Sequence, residues 1–276
     1  MKRDTAIGVI GFGNMGSAIA LGLKDRHRVF IYEKDPAKIT GASGVTALGS
    51  IEDIIDAAQT IIIAVKPQDF DAVLEELRGK VVHRMVISIA AGISTGYIEE
   101  NIGDVPVIRV MPNLPASIGM GMICLCKGRY ALETDLAYAQ KLFDRLGRTL
   151  VVEESQMNAV TAVSGSGPGF FFGLIEDKPE GEWAVYGTNI FTPLLIEAAR
   201  EIGFSQQQAQ TLAVATTEGS LALLRRTRLS PQELRRRVTS KGGTTEAGLE
   251  TLARTQSLVQ AVRAAAQRAE ELAGGN

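Results

Sequence analysis

The chain has 276 residues, enough for one large domain or two ordinary ones with ample core, and its 45% hydrophobic and 22% charged residues mark a globular protein. A formal charge of −2 argues against a nucleic-acid scaffold. No run approaches the ~20 apolar residues of a membrane span and no charged-then-apolar leader opens the chain, so a cytoplasmic protein without nucleic-acid or membrane partners is expected.

In chain order, Ala6–Ile10 is a short apolar run suited to a fully buried strand. Gly11, Gly13 and Gly16 follow as G-x-G-x-x-G, with Phe12, Asn14 and Met15 between them, and Asn14–Lys24 continues with helical spacing. Gly11 permits a sharp turn, and Gly13 lets the backbone approach a pyrophosphate. Gly16 lets the helix lie close on the strand, with the first N–H groups of the helix facing the phosphate charge. His27–Tyr32 reads as a second strand ending at Glu33, where a carboxylate would bond the adenosine ribose hydroxyls and favour NADH. Lys34 follows at once and could pair with a 2′-phosphate, which keeps NADPH open. Ordinary surface charge accounts for both residues equally well.

Asp35-Pro36 starts a turn and a short helix, and Ser50–Ala58 reads as a helix capped by Ser50 with Asp53 at its third position. Ile61–Val65 is a β-branched run fit for a central parallel strand, and Lys66-Pro67-Gln68 turns the chain at its carboxyl end. Asp69–Leu77 is helical, Met85–Ile89 and Val107–Val110 are further strands, and the latter is closed by Met111–Ala116. Strands alternating with helices at βαβ intervals predict an α/β, doubly wound parallel sheet. Met120–Cys126, a helix over Glu133–Leu146 and Thr149–Glu153 close this domain, with the boundary near Ser155. Cys124 and Cys126 share one face of a strand and lack the other ligands of a metal site, and His27 and His83 have no metal-type neighbours. No metal is expected, and both cysteines read as core residues of a reducing compartment.

Beyond Ser155 apolar residues recur at three and four. Gln206–Arg225, Pro231–Val238 and Thr244–Leu272, with a break near Thr255, read as helices. Long apolar stretches such as Ala209–Leu224 suggest helix packing between chains. The cluster Arg225, Arg226, Arg228 and Arg235–Arg237 reads as a solvated face or a subunit contact. Ser164–Gly169 (S-G-S-G-P-G) and Thr239–Thr245 (T-S-K-G-G-T-T) read as loops too rich in glycine and hydroxyls to be core. The second offers backbone N–H groups and hydroxyls to an anion such as a carboxylate, although Thr244 and Thr245 also suit plain helix capping.

Together these motifs resemble pyrroline-5-carboxylate reductases over Ile7 to about Leu272. The carriers are G-F-G-N-M-G (Gly11–Gly16), A-V-K-P-Q (Ala64–Gln68), S-I-A-A-G-I-S (Ser88–Ser94), R-V-M-P-N-L-P-A (Arg109–Ala116), A-V-S-G-S-G-P-G-F (Ala162–Phe170) and S-K-G-G-T-T-E-A-G-L (Ser240–Leu249). The resemblance implies a Rossmann-type N-terminal domain over 1–154 and an all-helical dimerisation and substrate domain over 155–276. It also implies a homodimer, open to larger assembly, with the active site between the cofactor cleft of one subunit and helices of its neighbour. By matched position, Gly11–Gly16, Ala64, Val65, Lys66 and Pro67 would hold the cofactor, with Asn113 near the nicotinamide and its ribose. Ser240, Gly242, Gly243, Thr244 and Thr245 would hold the substrate carboxylate, with the catalytic Thr245 hydroxyl reaching the imine nitrogen. The family leans to NADPH.

Two departures stand out. Lys241 replaces the family's usual proline, and Asp177–Pro193, with two prolines, two glycines and the only tryptophan, looks like an extra segment that cannot simply lengthen a helix. A bulge or flap near the substrate wall or dimer seam is expected there. The implied reaction is hydride transfer to the C=N carbon of 1-pyrroline-5-carboxylate, giving L-proline, the last step of proline biosynthesis. One rival is a β-hydroxyacid dehydrogenase, which would need a lysine after Gly165-Ser166-Gly167, where Pro168–Phe172 stand instead. The other is a non-catalytic NAD(P)-binding paralogue disabled by Asp177–Pro193.

Overall fold

The computed structural model describes residues 5–274. The chain forms two compact units, one from the chain up to Val110 with Leu125–Leu146, the other from Met111–Cys124 with the chain from Gly147 onward. Segments 111–124 and 147–154 thus pack with the helical unit although they precede the boundary expected at 154/155. The outermost residues of the two expected domains, 1–4 and 275–276, lie outside the described residues.

The first part of the chain alternates strand and helix: β1 (Ala6–Ile10), α1 (Asn14–Leu23), β2 (Arg28–Tyr32), β3 (Thr46–Ala47), α2 (Ile51–Ala57), β4 (Thr60–Ile63), α3 (Phe70–Leu77), β5 (Met85–Ser88), α4 (Thr95–Ile102) and β6 (Val107–Met111). Then come β7 (Gly121–Lys127), α5 (Glu133–Phe143) and β8 (Gly147–Val151). The strand order is β3-β2-β1-β4-β5-β6-β7-β8, and the pairs from β3 through β6 are parallel. The chain leaves β1 toward β2 on one side and returns through β4 on the other. The carboxyl ends of β1 and β4 therefore splay into a crevice, the usual ligand site of such sheets. Every residue of β1, β4 and β5 is buried, which explains their unbroken apolar runs. Ser50 caps α2 by accepting from the Asp53 N–H at 3.1 Å, as its spacing predicts. The helix α4 was not among the expected elements. Its start is marked by Ser94, which accepts from the Tyr97 N–H, and its sequence carries too weak an apolar stripe to show.

The second part is helical: α6 (Met157–Val160), a π turn over Thr161–Gly165, α7 (Gly167–Ile175), α8 (Trp183–Tyr186), a π turn over Gly187–Phe191, α9 (Thr192–Glu201), α10 (Gln206–Thr227), α11 (Pro231–Val238), α12 (Thr244–Thr255) and α13 (Leu258–Ala273). Two expectations are corrected here. Ser164–Gly169 is no loop: it runs through the π turn into α7, and Ser164, Ser166 and Phe170 are fully buried. Its small residues admit neighbouring helices, since a Cβ on Gly167 would lie 2.8 Å from Thr216 and one on Gly169 would lie 2.5 Å from Thr245.

Nor is Asp177–Pro193 a flap. From Trp183 it is helical straight into α9, with the chain turning only at Asp177–Pro179. Pro193 lacks an N–H and its ring crowds the preceding turn, and the wider π turn before it absorbs both. Phe191 is fully buried, 5.1 Å from the ring of Phe171. The apolar side of α10 is likewise buried inside its own unit, including Leu212, Ala213, Leu223 and Leu224. No described helix is long and apolar enough to cross a membrane.

Candidate functional site

The residues expected to bind ligands fall into two groups, one in each unit. In the first, Gly11 has φ +97°, and a Cβ there would lie 2.7 Å from the Ala64 carbonyl oxygen. A Cβ on Gly16 would lie 2.1 Å from the Gly11 carbonyl oxygen, so both glycines are required by the protein itself. Gly13 differs. A Cβ there would meet nothing within 4 Å, so the space above it is open. That space belongs to a cleft of about 380 Å³ lined by Gly11, Gly13, Glu33, Lys34, Ala64, Val65 and Lys66, with Lys38 on its wall. Phe12 is buried, Asn14 is exposed at the start of α1, Met15 is half-buried behind it, and Pro67 opens the turn after Lys66. The α1 terminus has no side-chain cap, which leaves its first N–H groups for an anion. A dinucleotide pyrophosphate fits this cradle.

Glu33 is only 6% exposed, and its carboxylate is already engaged. Oε2 accepts from the Phe12 N–H at 2.7 Å, while Oε1 accepts from the Asp35 N–H at 3.1 Å and from Lys38 Nζ at 3.3 Å. Burial alone would raise its pKa; the Phe12 and Asp35 N–H groups and Lys38 outweigh it and hold the carboxyl below its usual value. Glu33 therefore braces the glycine turn from behind. Lys34 pairs with Asp69 at 2.6 Å, and that bridge holds it weakly, because the lysine side chain is 65% exposed. Both histidines precede strands, His27 before β2 and His83 before β5, at the end of the sheet away from the glycine turn.

In the second unit, Gly243 is the N-cap of α12 and no side chain caps that terminus, so the N–H groups of Thr244, Thr245 and Glu246 have no partner within the helix. Thr245 is buried, and its hydroxyl donates to Ser166 Oγ at 3.1 Å. Ser166 Oγ in turn lies 3.0 Å from Thr244 Oγ1. The preceding loop is clamped from both sides. The Gly242 N–H donates to Glu246 Oε2 at 2.6 Å, and Arg268 Nε donates to the Gly242 carbonyl at 2.8 Å. Gly242 takes φ +69°, and Gly243 leaves room for Ser240, whose Oγ would lie 2.3 Å from a Cβ there. Lys241 is exposed.

Asn113 also belongs to this unit. Its Nδ2 donates to the Ser164 carbonyl at 3.0 Å and its Oδ1 accepts from the Met122 N–H at 2.9 Å, so its amide ties the turn after β6 to β7 and to the π turn. Sequence reasoning missed Ser166, Lys38, Glu246 and Arg268 as members of these groups. Ser166 lay inside a motif already singled out. Nothing local indicated that it meets a threonine 79 positions away.

A family model described as pyrroline-5-carboxylate reductase dimerisation matches residues 188–272, and one described as NADP oxidoreductase, coenzyme F420-dependent, matches residues 6–92. The pyrroline-5-carboxylate reductase of Mycobacterium tuberculosis is 33% identical over 300 aligned positions, covering 96% of each chain. Among solved structures, the pyrroline carboxylate reductase of Plasmodium falciparum with NADP bound superposes with a TM-score of 0.64 at 26% identity, covering 99% of this chain and 100% of its own. A pyrroline-5-carboxylate reductase from Coxiella burnetii gives a TM-score of 0.65 at 28% identity, covering 97% and 98%.

Proposed function

The chain belongs to the pyrroline-5-carboxylate reductase family, and from that premise we propose how its own residues carry the reduction of 1-pyrroline-5-carboxylate to L-proline. The nucleotide takes the cleft over Gly13, and the imino acid takes the mouth of α12. The observation that carries this reading is the α12 terminus itself: uncapped backbone N–H groups beside a buried hydroxyl cluster, the chemistry that holds a carboxylate and a ring nitrogen together.

The bound nicotinamide supplies the hydride that adds to the C=N carbon. The N–H groups at Thr244–Glu246 and the Ser240–Gly243 loop fix the carboxylate, and the clamps from Glu246 and Arg268 keep that loop in shape. Thr245 Oγ1 meets the ring nitrogen. An imine that arrives protonated needs no strong acid, so hydroxyl and backbone groups suffice, and neither His27 nor His83 lies in either group. The β-hydroxyacid dehydrogenase reading fares worse, because the helix after Gly165-Ser166-Gly167 continues as the buried Pro168–Phe172 with no lysine.

NADPH is the proposed cofactor. Glu33, the residue that would accept from ribose hydroxyls and repel a 2′-phosphate, has its carboxylate turned onto Phe12, Asp35 and Lys38. Lys34 and Lys38 meanwhile stand on the cleft wall as candidate phosphate partners. Steady-state reduction of 1-pyrroline-5-carboxylate with NADPH and NADH side by side tests the whole reading. Turnover with both is expected, with kcat/KM about tenfold higher for NADPH, a difference of about 1.4 kcal/mol. A higher kcat/KM for NADH would overturn the cofactor assignment. Binding of either cofactor without turnover of any cyclic imine would overturn the reductase reading in favour of a non-catalytic nucleotide binder.

A further inference from the structure

Four buried hydroxyls on the helices of the second unit share one habit. Thr161, Ser164, Thr217 and Ser220 each donate to the carbonyl four residues back, which satisfies them within their own helix. Ser166 departs from it. Its hydroxyl, with no exposed surface on the residue, is bonded instead across to Thr244 and Thr245 at the head of α12. Two local features aim it there. The π turn over Thr161–Gly165 closes with the Ser166 N–H donating to the Thr161 carbonyl at 2.8 Å. One extra residue in a turn rotates every later side chain by about 100° relative to an unbroken α-helix. Gly169, one turn on, leaves no Cβ between α7 and α12, and a methyl there would strike Thr245 Cγ2 at 2.5 Å.

We propose that Ser166 is a positioning residue for the reduction: it takes the Thr245 O–H as a donor, so that the Thr245 oxygen faces the substrate nitrogen as an acceptor. The inference rests on the assignment of Thr245 to that nitrogen given above. A hydroxyl has one proton and two lone pairs. With its proton committed to Ser166 Oγ, the oxygen of Thr245 is left to receive the N–H of a protonated imine before hydride addition and of the secondary amine after it. Ser166 and Thr244 each keep their own proton, and one of the two hydroxyls donates in the bond between their oxygens, 3.0 Å apart. No proton is transferred by this chain of hydroxyls. It sets the direction of one hydrogen bond in a place where an unsatisfied hydroxyl would be free to turn the wrong way.

A double-mutant cycle on the full-length enzyme tests this, with kcat and KM for 1-pyrroline-5-carboxylate measured at saturating NADPH. Ser166→Ala is expected to lower kcat about tenfold while KM changes less than about twofold. In a Thr245→Ala background the same change should cost less than about twofold, because the group that Ser166 orients is gone. Ser166→Cys, close in size and weaker as an acceptor, should fall between wild type and Ser166→Ala, and it serves also if the alanine variant fails to fold. A kcat within twofold of wild type for both Ser166 variants would overturn the proposal. So would an equal loss with and without Thr245, which would mark Ser166 as a packing residue only. Near-normal turnover by Thr245→Ala alone would instead remove Thr245 from the site, and the inference about Ser166 would fall with it.

Discussion

The three glycines of the nucleotide turn look alike in sequence, and their surroundings separate them. Gly11 and Gly16 are demanded by backbone atoms of the protein, whereas a methyl at Gly13 meets no protein atom within 4 Å. Gly13→Ala should therefore keep the thermal midpoint of the apo protein within about 2 °C and weaken dinucleotide binding at least tenfold, or about 1.4 kcal/mol. Gly11→Ala should lower the apo midpoint as well, since φ +97° strains any L residue. Calorimetry of the two variants with and without NADPH distinguishes the cases.

Glu33 yields a pH prediction at the same scale. Its carboxyl is held below the ordinary value of 4.5 in the folded state, so the stability it contributes is fully present above 4.5 and is lost as pH falls through the lower folded value. Wild type should exceed Glu33→Gln in urea midpoint at pH 7, and that gap should close steadily below pH 4.5. A gap that stays constant to pH 3 would mean that Glu33 is not the brace of the Phe12 turn.

At the level of elements, the segment from Asp177 to Pro193 shows how composition misleads. Its prolines and glycines count as helix breakers one at a time. In the folded chain Pro179 sits in a turn, Gly187 is buried against α10, and Pro193 follows a π turn that tolerates it. The carbonyl of Gly187 accepts both the Thr192 N–H that closes the π turn and the Thr192 hydroxyl, the latter at 2.9 Å. The segment is thereby anchored on the helical unit through Gly187 and Phe191, with Phe191 seated on Phe171, while most of its other residues stay exposed. Phe191→Ala should cost about 3–5 kcal/mol in chemical denaturation at fixed protein concentration, the range for a fully buried aromatic. A cost under ~1 kcal/mol would return the segment to the status of a surface flap. The S-G-S-G-P-G motif carries the same lesson. Small, hydroxyl-rich residues read as loop until α10 and α12 are seen to pack directly against them.

For the molecule as a whole, each unit carries a glycine-led helix terminus without a side-chain cap, that of α1 and that of α12, the two termini proposed above for a dinucleotide and for a carboxylate. The match to a family model described as pyrroline-5-carboxylate reductase dimerisation over residues 188–272 supports a homo-oligomer. Light scattering should accordingly give at least twice the 29.5 kDa of one chain, and a monomeric mass at micromolar concentration would contradict it. Val185, Ile190 and Leu194 stay exposed on the face of the α8–α9 helix that α10 leaves uncovered.

What could be read directly had a local cause, although α4 with its local Ser94 cap shows that not every local cause was read. The Ala6–Gly16 strand, turn and helix, the Ser50 cap, the buried β-branched strands and the helix starting at Thr244 each follow from spacing, capping and backbone freedom within a few residues. The loop before α12 belonged to this class too, because Gly242 and Gly243 announce their own geometry. Tertiary structure alone decided the rest: that Glu33 turns back onto Phe12, that Asn113 is a clamp, that a proline-bearing segment is helical and anchored by Phe191, and that Ser166 reaches Thr245. Those outcomes depend on which residues meet across long separations in the chain, and no spacing within a short stretch encodes such a meeting.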